Sequence, residues 1–213
     1  MATSVIIVQH AEKQTAPGDP GLTSLGRTQA IRTAAMLAAS SAPAALVSSP
    51  LRRAMETADL IAEQVPLRVQ VDVRLRERMN WHSAGSQPLD RFLLEWSRAS
   101  RERDYVPASG DSSRQAGDRF LDVIDDLADG HPDATVVVVS HGGVTVDLLR
   151  NLIGDDAVEE AAPALVDQGV PCCAVTTLER SGARWSVTDI ASTSHLEVAR
   201  PHRGSVWPGQ GRA

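Results

Sequence analysis

The chain has 213 residues, of which 42% are hydrophobic and 23% are charged, and its formal net charge is −6. A chain of this length can bury a large core as one domain without disulfides or metal ions. Its acidic balance lacks the basic footprint that sequence-independent binding to nucleic acid or to anionic lipid requires, so we expect neither as a partner.

Short apolar strands alternate with amphipathic helices along most of the chain. In the first part the predicted elements are a strand at Ser4 to Val8, a helix from Thr23 or Ser24, a strand at Ala45 to Ser48, a helix with Pro50 in its first turn, and a strand at Val69 to Val71. In the second part they are a helix at Arg114 to Leu127, a strand at Thr135 to Val139, a helix at Gly143 to Ile153, and strands around Cys173 to Leu178 and Trp185 to Ile190. This alternation predicts an α/β fold, a three-layer α/β/α sandwich with a mostly parallel central sheet.

Residues 78–112 interrupt the alternation with many arginines, two prolines and the large side chains of Trp81, Trp96 and Tyr105. We expect a small cap insertion there, with the aromatic side chains used for packing more than for stacking on a substrate. The remaining expectation is a single domain over 1–200, followed by a loose tail over 201–213 that is rich in Gly, Pro and Arg.

The first residues predict a cytoplasmic protein. Met1 to Val8 contains no basic residue and its apolar run is only four residues long, unlike a signal peptide. No run of about 20 apolar residues offers a membrane span. Cys172 and Cys173 are adjacent, a spacing unsuited to a mutual disulfide or a zinc site, and we expect both to be small buried strand residues.

Two predicted strands end in histidine. The strand from Ser4 leads to Gln9-His10, and the strand from Thr135 leads to Ser140-His141-Gly142-Gly143. Ligands of α/β sheets bind at the carboxyl ends of the strands, and the glycine pair opens a helix whose N–H groups suit an anion. A third strand, ending at Ser48-Ser49, brings Arg52 and Arg53 to the same edge, so that at least one guanidinium can join the histidines. If these strands are neighbours, two imidazoles and a guanidinium face one crevice, which suits a phosphoryl group.

Five motifs follow one another in a specific order. They are the strand ending at His10, Leu22-Thr23-x-x-Gly26-x-x-Gln29-Ala30, Ser48-Ser49-Pro50-Leu51-x-Arg53-Ala54-x-x-Thr57-Ala58, Leu75-x-Glu77 and Ser140-His141-Gly142-Gly143. Over about residues 1–195 this pattern resembles the histidine phosphatase superfamily, also called phosphoglycerate mutase-like. The resemblance implies the phosphoglycerate mutase-like fold. It also implies a metal-independent phosphomonoesterase that needs no cofactor and acts on a small phosphorylated substrate. By analogy alone, a homodimer is favoured over a monomer.

The resemblance also implies a role for each site residue. His10 would attack phosphorus to form a phosphohistidine that water hydrolyses, which splits one difficult step into two. His141 would donate to a phosphate oxygen, helped by the N–H of Gly142, and Arg53 would bind two phosphate oxygens. Glu77 would protonate the leaving alkoxide and then accept a proton from water.

The residue before the nucleophile departs from the family pattern. The family has Arg before this histidine and Gly after it, where this chain has Gln9 and Ala11. We expect Gln9 to contact the phosphate only as a neutral amide, and the loss of one transition-state donor costs about 3–4 kcal/mol. Lys13, the only lysine, is placed to return part of the charge.

Three functions therefore stay open at this point. The first is a phosphatase that is weakened by Gln9. The second is a pseudo-phosphatase that binds a phosphorylated ligand or protein without turning it over. The third is a phosphotransferase of the phosphoglycerate mutase type, although a short cap and a tail poor in lysine favour hydrolysis.

Several residues also have plainer interpretations. Glu77 lies among arginines, so an exposed ion pair is an alternative to catalysis, and Arg52 is interpreted as a solvated neighbour of Arg53. Ser48-Ser49 lacks the G-x-S-x-G elbow of a serine hydrolase. The other histidines lack metal-ligand spacing, and of these His195 is expected to be buried and hydrogen-bonded.

Overall fold

The computed structural model describes residues 2–40, 42–81 and 88–197 of the chain. The elements of its first half are β1 (Thr3–Gln9), α1 (Ser24–Ser40), β2 (Ala45–Ser48), α2 (Arg52–Ala62), β3 (Val69–Val71) and α3 (Leu89–Arg101). Those of its second half are α4 (Ser113–Gly130), β4 (Thr135–Ser140), α5 (Gly142–Ile153), α6 (Asp155–Ala161), α7 (Leu165–Gln168), β5 (Val175–Ser181) and β6 (Arg184–Ser192). Among these helices, none is both long and apolar enough to cross a membrane.

The strands form one sheet in the order β3-β2-β4-β1-β5-β6. The first four are parallel to one another, β5 pairs antiparallel with β1, and β6 pairs antiparallel with β5. Gln9 at the end of β1 lies opposite Ser140 at the end of β4, and Ser48 at the end of β2 lies opposite Val139. The carboxyl ends of β1, β2 and β4 therefore meet at one edge, as the sequence predicted.

Two layers of helices cover the sheet, which confirms the predicted α/β class. One face of the sheet packs against α4 and α5, through residues that include Val5, Val136, Val138, Phe120, Ile124 and Leu148. The other face packs against α1 and α2, through residues that include Val8, Val137, Val139, Leu37 and Ile61. The valine run of β4 has no polar interruption because both of its faces are buried.

Two expectations about local structure were wrong. Pro50 precedes α2 instead of lying in its first turn, because Leu51 is still extended and forms the N-cap, where its carbonyl accepts the Ala54 N–H. Cys172 and Cys173 lie in the turn before β5. Cys173 is buried with φ 56°, and its N–H bonds to the carbonyl of Gln9, so the turn closes over the end of β1.

The predicted cap contains helix α3, whereas α6 and α7 have no counterpart among the predicted elements. The proposed tail, 201–213, lies outside the described residues. The N-cap of α1 is Thr23, one of the two residues that the sequence predicted, because its hydroxyl accepts the N–H of Gly26 at 2.9 Å.

Candidate active site

His10 follows β1 directly, and both nitrogens of its buried ring are hydrogen-bonded. Nδ1 lies 2.8 Å from the carbonyl oxygen of Ala11. Because a carbonyl only accepts, Nδ1 carries the proton and Nε2 carries a lone pair, to which Arg53 Nε donates at 3.2 Å. Burial, together with the charge of Arg53, lowers the pKa of His10 to about 3. His10 is therefore neutral at pH 7, with its basic nitrogen facing a cation.

Two helices hold the loop that follows His10. The N–H of Ala11 donates to Thr57 Oγ1 on α2 at 3.0 Å, and the N–H of Glu12 donates to Gln29 Oε1 on α1 at 2.9 Å. A Cβ atom on Gly26 would lie 2.1 Å from the carbonyl oxygen of Glu12, so α1 approaches the loop closely only because that residue is glycine. The sequence motifs around α1 and α2 thus position the nucleophile.

Arg53 lies at the start of α2 with its side chain only 4% exposed. Its Nη1 atom is buried without a hydrogen-bond partner in the described part of the chain, and the nearest carboxylate, Asp19, lies 3.7 Å away. Burial lowers the pKa of Arg53. The neighbouring Arg52 is exposed and pairs with Glu56, as expected of a solvated residue. Of these two arginines, Arg53 is therefore the one that offers N–H groups to a ligand beside His10.

His141 is fully buried at the end of β4, and its ring centroid lies 5.2 Å from that of His10. Its Nε2 atom is 2.7 Å from Ser49 Oγ, which itself accepts the N–H of Leu51 at 3.3 Å. With the Ser49 hydroxyl donating to Nε2, the proton of the neutral ring lies on Nδ1. Burial lowers the pKa of His141 well below its usual value. Its Nδ1 is buried without a hydrogen-bond partner among the residues described.

The carboxylate of Glu77 lies at the N-terminus of α5. Oε1 accepts the N–H groups of Arg78 at 2.7 Å and Val144 at 2.9 Å, and Oε2 accepts that of Gly143 at 3.0 Å. The alternative of an exposed ion pair was wrong, because Glu77 is half-buried and its hydrogen bonds are to backbone. The neighbouring arginines have other partners, which are Asp72 and Asp126 for Arg74, Asp111 for Arg76, and Asp147 for Arg78.

Two cavities adjoin these residues. A cleft of about 310 Å³ is lined by His10, Lys13, Arg53 and Glu77 together with apolar side chains. An adjacent cavity of about 220 Å³ is lined by residues that include Gln9, Arg78, Gly142 and Asp147. Glu77 and Trp96 line both.

Gln9 and Lys13 differ in their relation to the cleft. Gln9 lines the adjacent cavity, its Oε1 atom is buried without a hydrogen-bond partner among the described residues, and its Nε2 atom would lie 3.4 Å from a Cβ on Gly142. Its role as a phosphate contact stays a prediction. Lys13 lines the cleft itself, and burial together with the charge of Arg53 lowers its pKa. A second cation therefore lies beside the phosphate-binding candidates.

A buried ion pair behind the cleft was missed by sequence reasoning. Arg78 Nη1 donates to both oxygens of Asp147 at 2.8 and 2.9 Å, and Nη2 donates to Ser100 Oγ at 2.7 Å. Trp96 stacks under the guanidinium at 4.5 Å, and Ser113 donates to Asp147. The pair joins residues 69 positions apart, so no local pattern indicated it. Ser49, the partner of His141, could have been found from its position directly after β2.

The remaining histidines contribute little to the site. His195 is hydrogen-bonded as expected, with Nε2 3.0 Å from Thr33 Oγ1, but it is half-buried instead of buried. His82 and His202 lie outside the described residues. Within the ranges that the structure describes, no group of three His, Cys, Asp or Glu side chains is arranged to hold a metal ion.

Comparisons with known proteins agree with this arrangement. A model of the histidine phosphatase superfamily (branch 1) matches residues 6–193. A glucosyl-3-phosphoglycerate phosphatase of Mycolicibacterium vanbaalenii is 32% identical over 149 residues, covering 64% of this chain and 64%, just under two thirds, of that protein. A metal-independent phosphoserine phosphatase of Arabidopsis thaliana is 26% identical over 209 residues, covering 91% of this chain and 83% of that protein. The solved complex of mycobacterial glucosyl-3-phosphoglycerate phosphatase with inorganic phosphate has a TM-score of 0.72 and 28% identity, covering 91% of this chain and 99% of that one.

Proposed function

Because the chain belongs to the histidine phosphatase superfamily, we propose that it hydrolyses a small phosphomonoester through a phosphohistidine on His10. The observation that carries the proposal is the pairing of a neutral His10, whose Nε2 lone pair faces Arg53, with two buried nitrogen atoms that have no hydrogen-bond partner among the described residues. These atoms are Arg53 Nη1 and His141 Nδ1. Buried polar groups are normally satisfied, so a phosphoryl group with its oxygens on these nitrogens completes the site.

In the first step the Nε2 lone pair of His10 attacks phosphorus, and the bond between phosphorus and the alcohol oxygen breaks. Arg53 and His141 donate to the non-bridging oxygens as charge shifts onto them. Glu77, the acidic side chain that lines the described cleft, gives its proton to the leaving alkoxide. The Nδ1–H bond to Ala11 holds the ring in the required tautomer and stabilises the charge it gains.

In the second step water attacks the phosphohistidine. The carboxylate of Glu77 accepts a proton from the water, the P–N bond breaks, and inorganic phosphate leaves. The electron pair of that bond returns to Nε2, so His10 is again neutral and Glu77 is again protonated. The two steps regenerate the enzyme without a metal ion or an external cofactor.

The test is phosphate release from 4-nitrophenyl phosphate between pH 4 and 8 in the presence of EDTA. We expect His10→Ala to abolish release and to abolish an acid-labile phosphate on the protein. His131→Ala, at the C-cap of α4 and remote from the cleft, should leave both unchanged. Release by His10→Ala at the native rate would refute the mechanism.

We further propose that Gln9 weakens this activity, because the side chain brings no charge to the phosphate and lines the adjacent cavity. Gln9→Arg should then raise kcat by up to about 10², the scale of one transition-state donor. A native protein that is silent but binds vanadate, with Gln9→Arg switching turnover on, would favour the pseudo-phosphatase. Dependence on a bisphosphate primer would favour the phosphotransferase. A decrease in kcat on Gln9→Arg would show that Gln9 is itself needed.

A further inference from the structure

Helix α3 presents an apolar stripe to the catalytic cleft. Leu89, Phe92, Leu93 and Trp96 all line the cleft, and their spacing of i, i+3, i+4 and i+7 places them on one face of the helix. We call these four residues the α3 stripe. Leu89 is 43% exposed and Leu93 is 53% exposed, so these two side chains are not committed to the protein core. Apolar surface left open beside a reactive group is available to a ligand.

Met79 and Trp81 extend the apolar lining of the cleft, which also includes the polar side chains of Thr15 and Asn80. Of its charged lining residues, Lys13 and Arg53 lie beside His10, and Glu77 lies next to Trp96 at Gly143. Arg53 donates a hydrogen bond to His10, and the positive charge of Lys13 interacts electrostatically with both His10 and Arg53. Along its described walls the cleft therefore carries its positive charge beside the nucleophile and is mostly apolar along the α3 stripe.

We propose that the preferred substrate is the phosphomonoester of an apolar alcohol, with Leu93 as a specificity-determining residue. This proposal rests on the proposed function, because it places the phosphoryl group at His10 and the leaving group on the α3 stripe. An apolar alcohol gains free energy by burial against these side chains. A polyhydroxylated or carboxylated alcohol would lose hydration against Leu89, Phe92 and Leu93, whose side chains offer no hydrogen-bonding groups.

The experiment compares kcat/KM for 2-phenylethyl phosphate and glycerol 3-phosphate, which both release a primary alkoxide. We expect a preference of about tenfold or more for the phenylethyl ester, the discrimination that a hydrophobic pocket commonly provides. Leu93→Ser should reduce the preference about threefold or more, mainly through KM. Leu94→Ser is the matched control, since Leu94 lies on the same helix, is 71% exposed and does not line the cleft.

The outcomes separate this proposal from the one it rests on. Absence of turnover with every ester would refute the proposed function. The apolar preference could then still be tested by comparing the Kd of 2-phenylethylphosphonate with that of methylphosphonate. No preference for the phenylethyl group, or equal effects of Leu93→Ser and Leu94→Ser, would overturn the proposal. The proposal would also be overturned if Leu93→Ser changed the oligomeric state measured by light scattering and left the substrate preference unchanged. That result would show that the α3 stripe contacts a second copy of the chain.

Discussion

The chemistry of His10 depends on where its two ring nitrogens point. Ala11 fixes the proton on Nδ1, and Arg53 both orients Nε2 and disfavours its protonation. A charged imidazole would have no lone pair for phosphorus. Burial thus keeps His10 unprotonated, and therefore nucleophilic, even in mildly acidic solution. The consequence is that the free energy of unfolding should decrease as the pH is lowered.

The stability of the protein should fall between pH 7 and pH 5, in part through His10. The pKa of His10 is about 3 in the folded protein and about 6.5 in the unfolded chain, so over this range the unfolded state binds the proton and the folded state does not. This difference lowers the free energy of unfolding by about 2 kcal/mol between pH 7 and pH 5. In urea denaturation, His10→Asn should lose that part of the pH dependence. An unchanged pH dependence in the variant would contradict the neutral, buried His10.

Arg53 should not be replaceable by lysine. Lysine keeps the positive charge but lacks the planar fork that contacts His10 through Nε and leaves Nη1 for the ligand. We expect Arg53→Lys to lower kcat about 10²–10³-fold, as for the loss of one preorganised donor. Arg52→Lys, at the exposed neighbouring position, should stay within about twofold of the native rate. Similar losses in the two variants would indicate that α2 contributes charge without specific geometry.

At the scale of elements, the junction of β4 and α5 forms the acid side of the site. The N–H groups that begin α5 bind the carboxyl group of Glu77, so the start of the helix fixes the position of the side chain that we propose exchanges protons with the alcohol and water. Gly143 allows this approach, because a Cβ there would lie 2.6 Å from Trp96 and 2.7 Å from Glu77 Oε1.

Gly143→Ala should therefore displace Glu77 and Trp96 together. We expect a loss of about 1–3 kcal/mol in the free energy of unfolding from overpacking, together with a fall in kcat. The fall should be larger for alkyl esters than for 4-nitrophenyl phosphate, whose leaving group needs less protonation. Gly130→Ala near the end of α4 has no neighbour within 4 Å of the new Cβ and should leave kcat unchanged. Equal kcat losses on both esters would argue against a proton donor at this junction.

The elements that carry the motifs were the ones that sequence could predict. Strands β2 and β3 have the predicted bounds, because short apolar runs between polar breakers leave little choice of register. Helix α3 was placed only within an insertion, although Leu89, Phe92, Leu93 and Trp96 have helical spacing. Its apolar face borders a cleft instead of the core, so the pattern did not indicate how it would be used. The short helices α6 and α7 carry no comparable periodicity.

At the scale of the whole molecule, a sheet edge supplies the groups for phosphate and the cap supplies the wall for the alcohol. The relative position of the two depends on Arg78, which bridges Asp147 on α5 and Ser100 on α3. The sequence gives no indication of this link, since its members are separated by long stretches of chain and meet only in the fold. Sequence thus predicts the reacting residues better than the arrangement that sets specificity.

Removal of Asp147 should destabilise the whole molecule. Asp147 is fully buried, and burial raises its pKa to about 7, while Arg78 and Ser113 stabilise its charged form. Asp147→Ala would leave the guanidinium of Arg78 buried and unpaired, a change that costs about 3–5 kcal/mol. We expect a lower urea midpoint and, because α3 loses its anchor, a higher KM for the 2-phenylethyl ester. Asp126→Ala removes only a surface partner of Arg74 and should change the free energy of unfolding by less than about 1 kcal/mol. If Asp147→Ala were as stable as Asp126→Ala, then the Arg78–Asp147 ion pair would not be what holds the cap to the sheet.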